Sequence, residues 1–258
     1  MLMNQRAEQL QEQLMCGRYA TTSSPEAIRA LFRYEDMPNF PARYNIAPTQ
    51  PIAIVRIENG KRRFALVRWG LLPSWVKDPK AFALLINARG ESVLDKPAFK
   101  NAMRYRRCLI PADGFYEWKR DGGRKQPYYA HSSSGPLAFA GLWESWTGPN
   151  GEELETAAIV TTRANRRLAE LHDRMPVVVP PDAFDLWLDC AKVDAQTAAA
   201  LIAPCPDDVL TPHPVSPAVN HALNDNPQLV APYEPPAEQP APSKPKRAAK
   251  NSDQPTLF

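Results

Sequence analysis

The chain has 258 residues, of which 44% are hydrophobic, and a formal net charge of +3 at pH 7. This length and apolar content are enough for one large domain, or two small ones, with a sizeable core. No apolar run reaches the ~18–20 residues that span a bilayer, and the N-terminus lacks the basic and apolar regions of a secretory signal. The mildly basic charge permits nucleic-acid binding, but a DNA site would have to be a local cluster.

The cysteines are too scattered for a zinc site or a disulfide framework. They form no CxxC pair and show no zinc-like spacing. We therefore expect reduced thiols, a cytoplasmic location and no bound metal. The four cysteines are Cys16, Cys108, Cys190 and Cys205.

Residues 1–14 differ in composition from the rest of the chain. They are rich in Gln and Glu and favour helix, and we predict a leader that is absent from the active protein or removed from it. Met15 directly precedes Cys16. Translation from Met15, followed by loss of that methionine, would leave Cys16 at the N-terminus. An N-terminal cysteine carries an amine and a thiol on adjacent carbons, and this pair captures an aldehyde by closing a five-membered thiazolidine ring.

The first regular elements are a helix and a hairpin. Ser24 followed by Pro25 is typical of an N-cap and a first helical residue, and it predicts a helix that ends near Tyr34. The pair Asn59-Gly60 favours a tight turn between two strands. Those strands are predicted at 52–57 and 62–69.

The chain then alternates strands with a few helices. Further strands are predicted at 107–110, 114–119, 128–131, 137–143 and 157–162. Further helices are predicted at 97–105, 181–189 and 195–202. Because hairpins dominate and helices intrude, the pattern favours an α+β fold over a parallel βαβ sheet.

Residues 233–258 form a Pro-, Ala- and Lys-rich tail that we predict to be disordered. Proline removes backbone donors, and the tail has no apolar periodicity that would give it a packed face. Two large apolar residues nevertheless close it. The pattern of Gln254, Leu257 and Phe258 resembles the peptide by which bacterial proteins dock on the replicative sliding clamp, and a chance ending is the alternative.

Six short segments carry the strongest functional signal. They are Met15–Ala20, Tyr44–Thr49, Trp69–Trp75, Ile86–Glu91, Ala112–Lys119 and Leu171–Pro176. In this order and spacing they resemble the SRAP family, which is named for SOS-response-associated peptidases. The resemblance covers about residues 16–233. Members of that family form covalent crosslinks to abasic sites in single-stranded DNA.

The resemblance implies a single domain over residues 15–232, with a curved, barrel-like, mostly antiparallel β core and flanking helices. It implies an abasic-site processing protein that acts on single-stranded DNA as a monomer, with lyase-like crosslinking chemistry and without cofactor, metal or membrane. Two alternatives remain open. One is a cysteine-type peptidase that cleaves its own leader, and the other is a module that binds single-stranded DNA without covalent chemistry.

The implied chemistry joins Cys16 to the aldehyde of an opened abasic sugar. An α-amine has a reference pKa of ~7.7–8.0 and a thiol of ~8.5, so both are partly reactive near neutral pH. By resemblance, Glu117 is an acid/base group beside the Cys16 amine, His172 is a second acid/base group, and Asn87 hydrogen-bonds the opened sugar. Asp173 is a candidate to orient the His172 ring. Without the resemblance, each of these residues has an ordinary structural explanation.

Candidate DNA contacts lie in or beside the same motifs. Arginine binds phosphate through two parallel hydrogen bonds, and tryptophan stacks on bases irrespective of sequence. The arginines are Arg18, Arg89, Arg163 and Arg174. The tryptophans are Trp69, Trp75 and Trp118, of which we expect at least one to pack in the core. Pro48 and Thr49 are candidates to line the DNA path. A paired duplex would bury the lesion, so single-stranded or junction DNA is favoured.

Overall fold

Strands dominate the regular structure of residues 16–121 and 124–234, the part of the chain that this computed structural model describes. The strands are β1 (Tyr19–Thr21), β2 (Arg43–Ile46), β3 (Pro51–Glu58), β4 (Lys61–Trp69), β5 (Asn87–Arg89), β6 (Arg107–Ala112), β7 (Gly114–Asp121), β8 (Arg124–His131), β9 (Leu137–Thr147), β10 (Glu153–Arg163), β11 (Arg174–Pro176) and β12 (Thr211–Pro214). The α-helices are α1 (Pro25–Phe32), α2 (Lys100–Tyr105), α3 (Phe184–Leu188) and α4 (Ala195–Ala199).

Five of these strands close into a barrel. β3 and β4 form a hairpin, β6 pairs with β3, β9 pairs with β6, and β10 pairs with β9, all antiparallel. A short parallel contact between β10 and β4 closes the ring. The predicted α+β fold, a single domain with a curved, barrel-like, mostly antiparallel β core, is therefore confirmed.

A second, fully antiparallel sheet has the order β12-β8-β7-β1-β2. Tyr19 of β1 and Phe115 of β7 make T-shaped contacts with Phe139 of β9, with ring centroids 6.2 and 6.1 Å apart. These side chains belong to a buried apolar cluster that also contains Cys16. The cluster joins this sheet to the barrel and places the start of the described chain at their junction.

Local signals explain α1 and the first hairpin. The Ser24 hydroxyl accepts a hydrogen bond from the Ala27 N–H at 3.2 Å, as the N-cap prediction requires. The helix ends at Phe32, slightly before the predicted end, and the C-cap residue Arg33 lies in the left-handed region with φ of 55°. Asn59 and Gly60 both have positive φ, of 50° and 76°, which a type I′ turn demands.

The later helices are shorter than predicted. Of the segment 97–105 only α2 is α-helical, and of 195–202 only α4 is. The predicted helix 181–189 is a 3-10 turn at Pro181–Ala183 followed by α3. Phe184 and Trp187 of α3 are buried in a second apolar cluster that also contains Ile28 and Phe32 of α1. The flanking helices thus cover one side of the barrel.

Five short strands were not predicted. They are β1, β2, β5, β11 and β12, each of three or four residues. A run of this length is too short to show an alternating pattern. β5 and β11 both pair with the end of β10, and in doing so they bring Asn87, Arg89 and Arg174 to one region of the sheet.

Within the described ranges, no helix has the length and apolar character needed to cross a membrane. The predicted leader, residues 235–258 of the predicted tail and the clamp-like ending lie outside the described residues.

Candidate active site

The Cys16 backbone nitrogen donates a hydrogen bond to Glu117 Oε1 at 2.7 Å. Both residues are buried, with 2% and 4% of their surface exposed. Here this nitrogen belongs to the amide that joins Met15 to Cys16. In a protein that starts at Cys16, the same atom is the α-amine, and the carboxylate lies directly beside it.

The pairing of β1 with β7 brings the two residues together. The strands are antiparallel, and the Tyr116 N–H donates to the Arg18 carbonyl at 2.9 Å. The chain that runs back from β1 to Cys16 therefore lies alongside the part of β7 that leads to Glu117. At the other end of the pairing, the Asp113 carboxylate accepts two backbone N–H groups from the turn after β1, at 2.6 and 2.8 Å.

Burial raises the pKa of both groups. For the Glu117 carboxyl, burial is the largest cause, while nearby His172 and hydrogen bonds from Cys16 lower the pKa. For the Cys16 thiol, burial is again the largest cause, Glu117 raises the pKa further, and Arg174 lowers it. The thiol therefore stays protonated near neutral pH, and the proton exchange of Glu117 is shifted towards neutrality.

His172 makes two mutually exclusive contacts through one ring nitrogen. Its Nδ1 lies 2.8 Å from Asp173 Oδ1 and 3.1 Å from the Arg174 N–H. Nδ1 can donate to the carboxylate only when it is protonated, and it can accept from the N–H only when it is not. A change of protonation at Nδ1 therefore exchanges one partner for the other. Burial raises the pKa of the Glu117 carboxyl, and the His172 imidazole lowers it.

β5 carries Asn87 and Arg89 along the barrel wall. Asn87 lies opposite Ile159 of β10, and Arg89 lies opposite Thr161. Residues two apart on a strand point to the same face, so the Asn87 and Arg89 side chains share one side of the sheet. Asn87 is partly buried and Arg89 is exposed. Arg89 is therefore open to a ligand at the end of β10.

Two of the predicted DNA contacts are interior residues. Trp69 is fully buried, and its Nε1–H donates to the Ile86 carbonyl at 3.0 Å. Arg18 is 3% exposed, and its Nη1 donates to Asn45 Oδ1 and to the Val219 carbonyl, both at 2.8 Å. Both side chains are buried in this structure, and internal acceptors already take hydrogen bonds from them.

The other predicted DNA contacts reach solvent to different extents. Trp75 is 56% exposed and contacts Phe82 edge-on, with ring centroids 5.6 Å apart. Trp118 is partly buried, and its Nε1–H donates to Asn220 Oδ1 at 2.8 Å. Arg163 is exposed at the end of β10. Two more candidates, Pro48 and Thr49, lie in the turn before β3. Trp75 is thus the most accessible of the three candidate tryptophans for base stacking.

Arg174 is held by a glutamate to which the sequence analysis assigned no role. Its Nη1 and Nη2 bind Glu91 Oε1 and Oε2 at 2.6 and 2.9 Å. Nη2 also donates to the carbonyl and hydroxyl oxygens of Thr161, at 2.8 and 3.1 Å. Glu91 ends the motif Ile86–Glu91, but its partner lies 83 positions away, so no local pattern marks the pair.

The site therefore combines a nucleophilic residue with groups that can move protons. Glu117 binds the Cys16 nitrogen. The Glu117 carboxyl raises the pKa of the Cys16 thiol, which burial also raises, and the Arg174 guanidinium lowers it. The His172 imidazole lowers the pKa of the buried Glu117 carboxyl. Within residues 16–121 and 124–234, no group of three or more His, Cys, Asp or Glu side chains could hold a metal ion. Nucleophilic addition with proton transfer is the chemistry that these side chains can perform.

Comparison with known proteins agrees with this geometry. The family described as "SOS response associated peptidase (SRAP)" matches residues 15–222. The chain belongs to the SRAP family. The match starts one residue before Cys16 and includes Asn87, Glu117 and His172.

Several SRAP relatives are named for abasic-site processing. The chain is 38% identical over 221 residues to "Abasic site processing protein YoqW" of Bacillus subtilis, covering 84% of this chain and 99% of that one. It is 31% identical over 263 residues to "Abasic site processing protein HMCES" of Xenopus tropicalis, covering 84% and 78%.

Solved structures share the SRAP fold seen here. A protein of Bacteroides thetaiotaomicron aligns with a TM-score of 0.72 at 22% identity, covering 84% of this chain and 100% of that chain. A phage-related protein of Bordetella bronchiseptica aligns with a TM-score of 0.63 at 35% identity, covering 78% and 94%.

Proposed function

We propose that this SRAP protein processes abasic sites in single-stranded DNA by forming a covalent thiazolidine crosslink through an N-terminal Cys16. The 2.7 Å contact between the Cys16 nitrogen and Glu117 Oε1 carries the proposal. It sets a buried acid/base group beside an atom that becomes nucleophilic only as an α-amine. The names of the relatives support the abasic-site substrate.

The first bond forms between the Cys16 nitrogen and the C1′ aldehyde of the opened sugar. The neutral amine attacks the carbonyl carbon, and the Glu117 carboxylate takes the proton that the nitrogen releases. Glu117 passes this proton to the oxygen, which gives the neutral carbinolamine, and then moves the second nitrogen proton to the same oxygen. That oxygen leaves as water, and a C=N imine remains. The raised pKa of Glu117 suits both transfers, because it brings the pH of proton exchange closer to neutrality.

The second bond joins Cys16 Sγ to the same carbon. Burial keeps the thiol protonated, so the S–H proton must move to the imine nitrogen as sulfur adds to the carbon. Glu117 binds the nitrogen of the same residue at 2.7 Å and can carry that proton. The closure is intramolecular, a situation in which effective concentrations reach ~10⁵–10⁸ M. The balance of the two steps is one aldehyde and one cysteine giving one thiazolidine and one water.

The surrounding residues prepare the sugar. With Nδ1 of His172 engaged by its neighbours, Nε2 is the ring nitrogen left to exchange a proton with the sugar oxygen when the ring opens. Asn87 hydrogen-bonds the opened sugar, Arg89 contacts a flanking phosphate, and Trp75 stacks on an adjacent base. These roles fit exposed or partly buried side chains around a buried cysteine.

A denaturing gel tests the proposal. Protein expressed from Met15, with an intact mass that shows Cys16 at the N-terminus, is mixed with single-stranded DNA that contains one abasic site. We expect a heat-resistant, slower band that is absent with undamaged DNA. Cys16→Ala abolishes the band. Cys16→Ser leaves an imine that borohydride can trap, because serine keeps the amine and loses the thiol.

Cys190→Ala is the matched control, because this thiol is partly exposed but its nitrogen is an ordinary amide. We expect the control to crosslink at the wild-type rate. A chain that starts at Met1 and is shown by mass to be uncleaved should form no thiazolidine. Equal crosslinking by that long chain contradicts the proposal, and salt-sensitive binding without any covalent band favours a simple DNA-binding module.

A second activity, self-removal of the leader, is favoured by the backbone at Cys16. Its φ of 47° lies in the left-handed region, which costs an L-residue ~1–2 kcal/mol. Cleavage before Cys16 would remove the peptide bond to Met15, and with it the cost of this backbone angle. The thiol would attack the Met15 carbonyl, the acyl group would pass from nitrogen to sulfur, the nitrogen would take a proton through Glu117, and water would hydrolyse the thioester. Intact-mass measurements on the Met1 chain test this. Cleavage that persists in Cys16→Ala contradicts it.

A further inference from the structure

An arginine whose charged end is already occupied lies next to His172 of the site, and its backbone N–H donates to Nδ1 of that histidine at 3.1 Å. Glu91 binds Nη1 and Nη2 of Arg174 at 2.6 and 2.9 Å. Nη2 also donates to the carbonyl and hydroxyl oxygens of Thr161. Burial is the largest cause of the raised pKa of the Cys16 thiol, and the positive charge of Arg174 lowers that pKa. Its side chain is only 11% exposed.

This arrangement differs from a phosphate clamp. Arginine grips a phosphate with two parallel N–H groups, and on Arg174 the Glu91 carboxylate occupies that pair. The ion pair has no formal net charge, so it offers little attraction to a polyanion. Among the described residues, Nε of Arg174 is buried and has no hydrogen-bond partner. The Nε–H is therefore a donor that still lacks an acceptor.

The backbone fixes the place of the glutamate. Glu91 lies in a 3-10 turn, Gly90–Ser92, directly after β5. A Cβ at Gly90 would lie 2.1 Å from Cγ2 of Ile202 and 3.2 Å from the Thr161 carbonyl, so a larger residue would force the Ile202 side chain to move. β5 and β11 both pair with β10, and the carboxylate and the guanidinium are thus carried by neighbouring parts of one sheet.

We propose that Glu91 is a positioning residue for the crosslinking reaction. It holds Arg174 with the Nε–H turned to an oxygen of the opened abasic sugar and with the guanidinium charge beside the Cys16 sulfur. Arg174 thereby acts on the reacting groups rather than as a clamp for a DNA phosphate. The inference rests on the proposed crosslinking function and deepens it.

Glu91→Ala and Glu91→Gln test this role in single-turnover crosslinking. At saturating abasic DNA we expect the rate of Glu91→Ala to fall about 10- to 100-fold, because a misplacement of about 1 Å costs on that order. Glu91→Gln should fall less, since its amide oxygen still accepts one N–H. Binding to undamaged single-stranded DNA should not weaken, because the change removes a negative charge.

The pH profile provides a readout that a purely structural role would not move. The charged groups that act on the Cys16 thiol are Glu117, Arg174 and Asp173. Loss of Glu91 frees Arg174 to leave the sulfur, and the thiol pKa then rises. The limb of the crosslinking profile that reports this thiol should shift to higher pH in Glu91→Ala.

Asp185→Ala is the matched control. Asp185 pairs at 2.6 Å with Arg62, and this pair, like that of Glu91 and Arg174, joins a well-covered arginine to an exposed acid. The control should lower the melting temperature to a similar small extent and leave the crosslinking rate unchanged. Glu91→Ala combined with Arg174→Ala should crosslink at the rate of Arg174→Ala alone, because Glu91 acts through Arg174.

Wild-type rates in both Glu91 variants overturn the inference, as does an equal loss from Glu91→Ala in the Arg174→Ala background. A salt dependence of DNA binding that flattens by about 0.7 log units in Arg174→Ala also overturns it, because that slope is the signature of a phosphate contact. If circular dichroism shows that Glu91→Ala does not fold, Glu91→Gln decides the question. Absence of any crosslink from the wild-type protein refutes the proposed function instead.

Discussion

Replacing Glu117 by glutamine probes the centre of the proposed mechanism, because it keeps the size of the side chain and removes its charge and its proton transfer. The contact to be weakened is the 2.7 Å hydrogen bond between the Cys16 nitrogen and Glu117 Oε1. A hydrogen bond to a charged group contributes ~1.5–3 kcal/mol. Since ~1.4 kcal/mol in the barrier is a factor of ten in rate, crosslinking should slow about 10- to 100-fold.

The assay is single-turnover crosslinking of abasic single-stranded DNA by protein with Cys16 at its N-terminus. Glu144→Gln is the control. Glu144 lies on β9 and is another buried glutamate, with 4% exposure, and it accepts a hydrogen bond from Arg106 at 3.0 Å. The control should lose thermal stability and keep the wild-type rate. A wild-type rate for Glu117→Gln would refute the acid/base role of this carboxyl.

Glu117→Gln is expected to lower the rate of crosslinking but to raise thermal stability near neutral pH in a chain that keeps its leader uncleaved. Burial raises the pKa of Glu117, so the folded state favours the protonated carboxyl. Its stabilising contribution is present below the unfolded pKa of ~4.3 and is lost as the pH rises through the folded value. Glu117→Gln should therefore melt higher than the wild-type chain near neutral pH, and the difference should vanish as the pH falls towards 4. A difference that does not change with pH contradicts the assignment.

Three further outcomes are expected. His172→Ala slows crosslinking at least about tenfold if the imidazole is an acid/base group, and an unchanged rate excludes that role. Arg89→Ala flattens the salt dependence of single-strand binding by about 0.7 log units. Trp69→Ala leaves that slope unchanged and destabilises the fold by about 3–5 kcal/mol. The opposite pattern would make Trp69 the DNA contact and Arg89 a structural residue. A peptide of residues 247–258 binds the sliding clamp of the source organism with micromolar affinity, because two buried apolar side chains contribute ~3–6 kcal/mol before ordering costs. The peptide loses binding when Leu257 and Phe258 become alanine. No affinity at high micromolar concentration contradicts the docking role.

The sequence alone determined the elements whose signal is local. The N-cap at Ser24 and the Asn59-Gly60 turn are matters of neighbouring backbone groups, so a few residues suffice to specify them. The five barrel strands are long enough to show a run of strand-forming residues, and all were predicted with shifted ends. The order and spacing of the motifs also indicate the family, and the resemblance predicts that Glu117 lies beside the Cys16 amine.

Only the tertiary structure decided how the site is assembled and which side chains face solvent. β1, β5 and β11 are three-residue strands. β1 forms by pairing with β7, and β5 and β11 form by pairing with β10. A sequence of three residues is too short to predict such a pairing. Composition does not separate buried Trp69 from exposed Trp75, because burial depends on what the rest of the barrel places over each ring. The capture of Arg174 by Glu91 joins positions 83 apart. Such a contact is set by the pairing of whole strands, and that pairing is a property of the folded chain as a whole.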